Sequence, residues 1–314
     1  MLSSSSVTTV HCYHQLQLLL LLLLFMTSTT ITTSTIKFQK YQSPITNAIV
    51  NLKSKYYGFI KESYYVDANN NKFTVNDEYI DFVDKNNDKF PTTINKLISE
   101  NLFQTSPISY IYERGYRQNF QQIGFPGIEK EFDEVNNFFL STNNTDVIVD
   151  LSCGTGFMTR KFIKSNNYNC IIGGDLSRSM LAEARNRINE DGLDTNRVEL
   201  IRLNVNNLPF QSNSVNGIHA GAALHCYTDL EKSLSEIHRI LKNNGVFYAS
   251  TFFKDAFNIN SNNNGFYLFK DEKELIQLLH NAGFALNCIQ VRREGRACAI
   301  IKAIKGDRTD LFKL

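Results

Sequence analysis

No two of the six cysteines, Cys12, Cys153, Cys170, Cys226, Cys288 and Cys298, stand in a C-x-x-C pair. That spacing argues against a zinc ribbon and against a disulfide framework, and it suits a reducing compartment. An excess of either charge is also missing: 33 Lys and Arg against 31 Asp and Glu leave a formal charge of +2, with 20% charged residues. Such a balance gives no reason to expect nucleic acid as a partner. No Lys or Arg precedes Lys37 and no acidic residue precedes Glu62. A secretory signal normally carries a positive charge ahead of its apolar core.

What fills the N-terminus is a leucine run over residues 16–26, flanked by Ser and Thr. It is well short of the roughly 20 apolar residues that span a bilayer. The acid-free flanks fit an organelle transit peptide of mitochondrial type, which would however carry arginine; the run length fits a signal or anchor that could hold the chain at a membrane. Both readings stand, with a cytoplasmic chain as the fallback, and residues 1–36 are set aside from the fold. Residues 37–105, rich in Tyr, Asn and Lys, have too few apolar residues per turn for a large core of their own. They read as a divergent N-terminal region with a strand-like KFTV at 72–75 and a helical stretch at 92–102.

The chain then turns to VIVDLSCGTGF at 147–157. Three consecutive β-branched residues suit a strand buried on both faces of a parallel sheet. Asp150 ends it with a charge. Gly154 and Gly156 free the backbone of Cβ atoms where a ligand approaches, and a helical rhythm resumes at Thr159. Strand, glycine turn and helix N-terminus make a nucleotide-type cradle. A dinucleotide fingerprint needs a third glycine, and Met158 and Thr159 stand there instead, which disfavours a nicotinamide oxidoreductase.

A second buried strand, YNCIIGGD, ends in Asp175, one helix and a return after Asp150. A carboxylate at that strand end can accept from both hydroxyls of a ribose. Ser177 reads as the N-cap of the next helix. A third strand at 198–203 precedes Asn204 and LPF; a fourth at 215–220 precedes the small residues Gly221, Ala222 and Ala223. His225 follows at the carboxyl end, where an imidazole can serve as a general base or simply pack; His219 and His238 read as structural. Further on, a helix at 230–241, a strand after Gly245, a helix at 272–281 and two strands at 285–291 and 297–304 close the sheet. Upstream, residues 106–141 pair Tyr110, Tyr112, Arg114, Tyr116 and Arg117 with GFPG and a helix from Ile128 to Leu140. The helix reads as cover for the sheet, and the Tyr/Arg segment as a lid whose Tyr112 and Arg117 meet substrate.

These motifs, in this order, resemble those of class I S-adenosylmethionine-dependent methyltransferases: an acid before G-x-G-x-G at Asp150, Ser152, Gly154 and Gly156, then G-x-D-x-S with Met180 and Leu181. Within that superfamily the chain is similar to the type 11 branch, which includes quinone-biosynthesis enzymes. It is closer still to uncharacterised plastid methyltransferases of plants, through YERGYRQNF, GFPG and HAGAALHC. Those relatives carry paired cysteines upstream; this chain has none between Cys12 and Cys153, so no metal is carried over. The resemblance implies a Rossmann-like α/β sandwich: a mostly parallel seven-stranded sheet with an antiparallel last strand, helices on both faces and an N-terminal helical lid. It divides the chain into residues 1–36, 37–105, 106–141 and a methyltransferase domain at 142–306. It implies S-adenosyl-L-methionine held by Asp150, Ser152, Cys153, Gly154, Gly156, Asp175, Leu176, Asn204, Val205 and Gly221, with a small acceptor that the aromatic segment from Tyr110 to Tyr116 marks as partly apolar. Ser152 replaces a glycine, and Asn204 and Asn216 replace aspartates of the family pattern. Those departures leave a noncatalytic cofactor-binding or assembly protein as the alternative. The oligomeric state is not set by sequence.

Overall fold

Among the described residues, aliphatic and β-branched runs assemble into one sheet of eleven strands. The computed structural model describes residues 41–42, 51–57, 60–83, 121, 124–141, 146–254 and 267–306, all within the unit Ile36–Leu314. Tyr112, Arg117 and the helical stretch at 92–102 lie outside the described residues.

The central strands are β5 (Val147–Leu151), β6 (Cys170–Asp175), β7 (Val198–Arg202), β8 (Val215–Ala220) and β9 (Leu241–Phe252). Each pairs in parallel with its neighbours, in the order β7-β6-β5-β8-β9. Beyond β9 lie β11 (Cys298–Ile304) and then β10 (Ile289–Glu294), with β11 antiparallel to both neighbours. These seven strands are the expected set, with the final strand antiparallel. The first strand of the closing pair starts at Ile289, later than the sequence indicated, because Leu286–Cys288 winds into a 3₁₀ turn first.

Alternate side chains of these strands face two separate cores. On one face, α1 (Ile128–Leu140), α2 (Phe157–Ser165) and α3 (Arg178–Glu190) bury Val135, Phe139, Phe162, Leu181 and Ile188 against Ile148, Ile171, Leu200 and Ile300. On the other, α4 (Leu230–Ile240) and α5 (Glu272–Asn281) bury Leu234, Ile237, Leu275 and Leu279 against Val149, Ile218, Phe247 and Ile301. A strand covered on both faces must be apolar throughout, which is why VIV and CII carry no polar alternation. Ser177 caps α3 by accepting from the Met180 N–H at 3.3 Å. Asn244, where the sequence indicated a turn tolerating a left-handed residue, has φ +63 but lies within β9, whose pairing with β8 shifts register between Val215 and Gly217.

Four more strands extend the sheet past β7: β1 (Asn51–Tyr57), β2 (Ile60–Val66), β3 (Lys72–Val75) and β4 (Ile80–Asp81). They form an antiparallel meander, and β4 joins β7 in parallel. Tyr65, Phe73 and Phe82 pack with Tyr41 and Phe210, so this region shares the core of the main sheet. The aromatic residues that looked too sparse for an independent core need none, because β7 supplies the surface they cover.

Candidate active site

The carboxyl ends of β5, β6, β7 and β8 bring the sequence-derived residues to one edge of the sheet, the edge where open α/β sheets bind ligands. After β5 the backbone turns through left-handed residues at Ser152 (φ +57), Gly154 (φ +55) and Gly156 (φ +77). The turn is pinned to β6 by the Cys153 N–H, which donates to the Gly174 carbonyl at 3.0 Å. Gly156 allows α2 to approach α3: a Cβ there would lie 3.1 Å from that of Ala184. Close helix packing, the task of the missing third glycine, is thus met one residue before the helix. No side chain among the described residues caps α2, so its first-turn N–H groups keep their capacity for a ligand.

Asp175 stands at the end of β6 with both oxygens engaged by backbone: Gly154 N–H donates to Oδ2 and Ser177 N–H to Oδ1, each at 2.9 Å. Burial raises its pKa above the ordinary carboxylate value, and these N–H groups oppose the rise. The Leu176 carbonyl accepts from Nε of buried Arg202 at 3.0 Å, and the same guanidinium meets Asp81 of β4 at 3.3 Å. Asn204 folds back on its own loop, its Oδ1 accepting from the Asn206 N–H at 2.9 Å. Val205 packs half-buried against the core. Asn216 lies elsewhere: at the amino end of β8 it accepts from Val147 N–H and from Lys242. Its departure from the family pattern therefore does not touch this edge.

A small polar recess is lined by Asp150, Ser152, Cys153, Phe157, Met158, His219 and Gly221. Beneath it lies a row that the sequence did not reveal. Asp150, His219 and Tyr248 are register partners on β5, β8 and β9, on the face covered by α1 and α2. His219 Nδ1 is 2.7 Å from Asp150 Oδ1, and its Nε2 is 3.6 Å from Glu131 Oε1 on α1. Thr159 donates to Asp150 Oδ2 at 2.6 Å, and Ser250 donates to Glu131 Oε1 at 2.8 Å. Burial pulls the His219 pKa down, but the hydrogen bonds and charges of Asp150 and Glu131 outweigh it and the net direction is up. One signal was available: Glu131 is a charge on the stripe of α1 that buries Val135, Phe138 and Phe139.

His225 sits in the 3₁₀ turn Leu224–Cys226 after β8, edge-on to Phe252 with ring centroids 4.6 Å apart. Burial lowers its pKa to about 4. Phe252 in turn packs 4.6 Å from Phe125 of GFPG. Gly124 abuts the β10–β11 turn so closely that a Cβ would run into the Glu294 carbonyl oxygen. Gly124 and Phe125 thus fix GFPG at this edge of the sheet.

The arrangement has the α/β fold of solved methyltransferases, and comparison with known proteins shows what the chain is similar to. Residues 149–249 match the type 11 family, described as a methyltransferase domain. Two chloroplastic methyltransferases of Arabidopsis thaliana, both named as uncharacterised, are similar to it. One is 37% identical over 188 residues, covering 59% of this chain and 53% of the relative; the other is 41% identical over 161 residues, covering 51% and 45%. The matched stretch is therefore about half the length of those relatives. Phosphoethanolamine N-methyltransferase 2 of Haemonchus contortus, solved with S-adenosyl-L-methionine, superposes with a TM-score of 0.55 at 16% identity, over 69% of this chain and 61% of that one. At that identity the likeness speaks for the fold.

Proposed function

We propose that this chain transfers a methyl group from S-adenosyl-L-methionine to a small, partly apolar acceptor. The observation that carries the reading is the left-handed turn at Ser152, Gly154 and Gly156 facing the half-buried carboxylate of Asp175. The residues fit the cofactor: a polar recess, an uncapped helix N-terminus and an acid at the second strand end lie at one edge. Asp150, Ser152, Cys153, Gly154, Gly156, Asp175, Leu176, Asn204, Val205 and Gly221 would hold it. When bound, it supplies an electrophilic methyl group on a sulfonium.

The chain's own contribution is placement and exclusion of water. Asp175 accepts from ribose hydroxyls, and Asn204 offers an amide edge to the adenine. Phe125 and Phe252 furnish an apolar wall beside His225, and a neutral imidazole there accepts a proton from acceptors that must lose one. Tyr112 and Arg117 of the preceding segment are assigned to the acceptor. An organelle is the proposed compartment, supported by the chloroplastic relatives and the acid-free leader. Among the described residues no helix is long and apolar enough to cross a membrane. Calorimetry of the full chain with S-adenosylmethionine tests the core of the reading: saturable binding is expected, and no heat at millimolar ligand overturns it.

A further inference from the structure

Tyr227 follows the 3₁₀ turn that holds His225 and is 7% exposed. Its hydroxyl lies beside Ser152, yet it completes no hydrogen bond of proper geometry among the described residues. A buried hydroxyl left without a partner costs the desolvation of that group, so its retention calls for a partner that arrives from outside. Burial, with smaller contributions from Cys226, Asp175 and Asp150, holds its pKa up against the opposing influence of the nearby Ser152 hydroxyl. It is therefore a neutral donor at any working pH.

The neighbourhood decides what it donates to. Asp150 and Asp175 are acceptors only, so a ligand carboxylate placed among them would be repelled. A ribose hydroxyl is different: it donates its proton to a carboxylate and keeps lone pairs for a donor. We infer that the Tyr227 hydroxyl is a cofactor-binding donor that meets a ribose oxygen of the nucleoside whose hydroxyls Asp175 accepts. This rests on the cofactor reading above. Tyr227 thereby ties the loop after β8 to the end of β6, and the nucleoside is gripped from two strands by complementary partners.

Tyr227→Phe isolates the hydroxyl while keeping the ring. Calorimetry of the full chain would compare S-adenosylhomocysteine, 5′-methylthioadenosine, which lacks the amino-acid end, and the 2′,3′-dideoxy form of the latter. The variant is expected to bind the first two more weakly by the same factor, roughly fivefold to tenfold as for one neutral hydrogen bond, and the dideoxy ligand with little change. The empty variant should melt no lower than the wild type, because an unpaired hydroxyl has been removed. Unchanged affinity for all three overturns the inference. So does a loss confined to S-adenosylhomocysteine, which would place the hydroxyl at the amino-acid end, or a loss equal for the dideoxy ligand. If the wild type binds none of them, the cofactor reading itself falls.

Discussion

His219 on β8 reaches Asp150 on β5 through Nδ1 at 2.7 Å, and the two residues are register partners in adjacent parallel strands. The pairing places an imidazole directly under the acid that opens the glycine turn. Glu131 closes the other side of the ring from α1, so the helix that follows GFPG is bound electrostatically to the floor of the recess. Both carboxylates and the imidazole are essentially sequestered from water. A buried group of this kind holds only while every member is present.

His219→Ala is expected to destabilise the fold by about 3–5 kcal/mol, since it strands two buried carboxylates without their shared partner. The pH dependence gives a second reading. Because the folded pKa of His219 is raised above its ordinary 6.5, its contribution is complete below that value and is lost as pH climbs through the folded value. Urea unfolding from pH 6 to 9 should therefore show stability falling with pH in the wild type. The slope should flatten in His219→Gln, and equal slopes would sink the assignment.

Much of this was legible because the signals were local. The run VIV, the glycines after Asp150 and the Ser177 cap each act within a few residues, and each formed as the sequence indicated. The row Asp150–His219–Tyr248 was not legible, since it depends on strand order, and β5, β8 and β9 are far apart in the chain. Arg202 was missed for the same reason: its partners, Leu176 and Asp81, come from a different loop and a different strand. Of the meander β1–β4 only β3 was visible, as the strand-like KFTV, because the aromatic residues of the region are buried against the main sheet rather than by one another alone.

Ser152 occupies a left-handed backbone position at φ +57, a conformation that costs a residue with a Cβ about 1–2 kcal/mol. Replacing it by glycine removes that cost, partly offset by about 0.5–1 kcal/mol of extra chain entropy. Ser152→Gly should raise the melting temperature by a small margin, and Ser152→Val should lower it by clearly more. A glycine variant that melts well below wild type would show that the serine side chain stabilises the turn.

Gly156 has both a positive φ of +77 and a neighbour 3.1 Å from any added Cβ. Gly156→Ala should therefore cost about 1–2 kcal/mol from the backbone alone, with crowding of Ala184 added to it. Denaturant unfolding checks the loss. Gly192, also at positive φ but with nothing within 4 Å, is the control: its alanine variant should show the backbone cost without the crowding.

Asp175→Ala should weaken S-adenosylmethionine binding by roughly 1.5–3 kcal/mol, the range for hydrogen bonds to a charged group. The raised pKa of Asp175 adds a pH signature. Its ionised form is the acceptor, so wild-type affinity should decline on acidification sooner than an ordinary carboxylate would dictate, and the variant should lack that decline. Calorimetry across the acidic range decides it. An unchanged affinity in Asp175→Ala would remove the residue from the ribose role.

His225 presents the sharpest case for separating binding from chemistry. Burial beside Phe252 lowers its pKa to about 4, so the imidazole is neutral throughout the physiological range and can take up a proton only as a weak base. As the proton acceptor it would give kcat/KM an acidic limb at about pH 4, well below the ordinary histidine value of 6.5. His225→Phe preserves an aromatic ring against Phe252 and removes the nitrogen atoms. The variant should bind S-adenosylhomocysteine within about threefold of wild type and lose at least roughly tenfold in turnover, as expected for a lost general base. An acidic limb near 6.5, or full turnover in the variant, would leave His225 a packing residue of the wall it shares with Phe252 and Phe125.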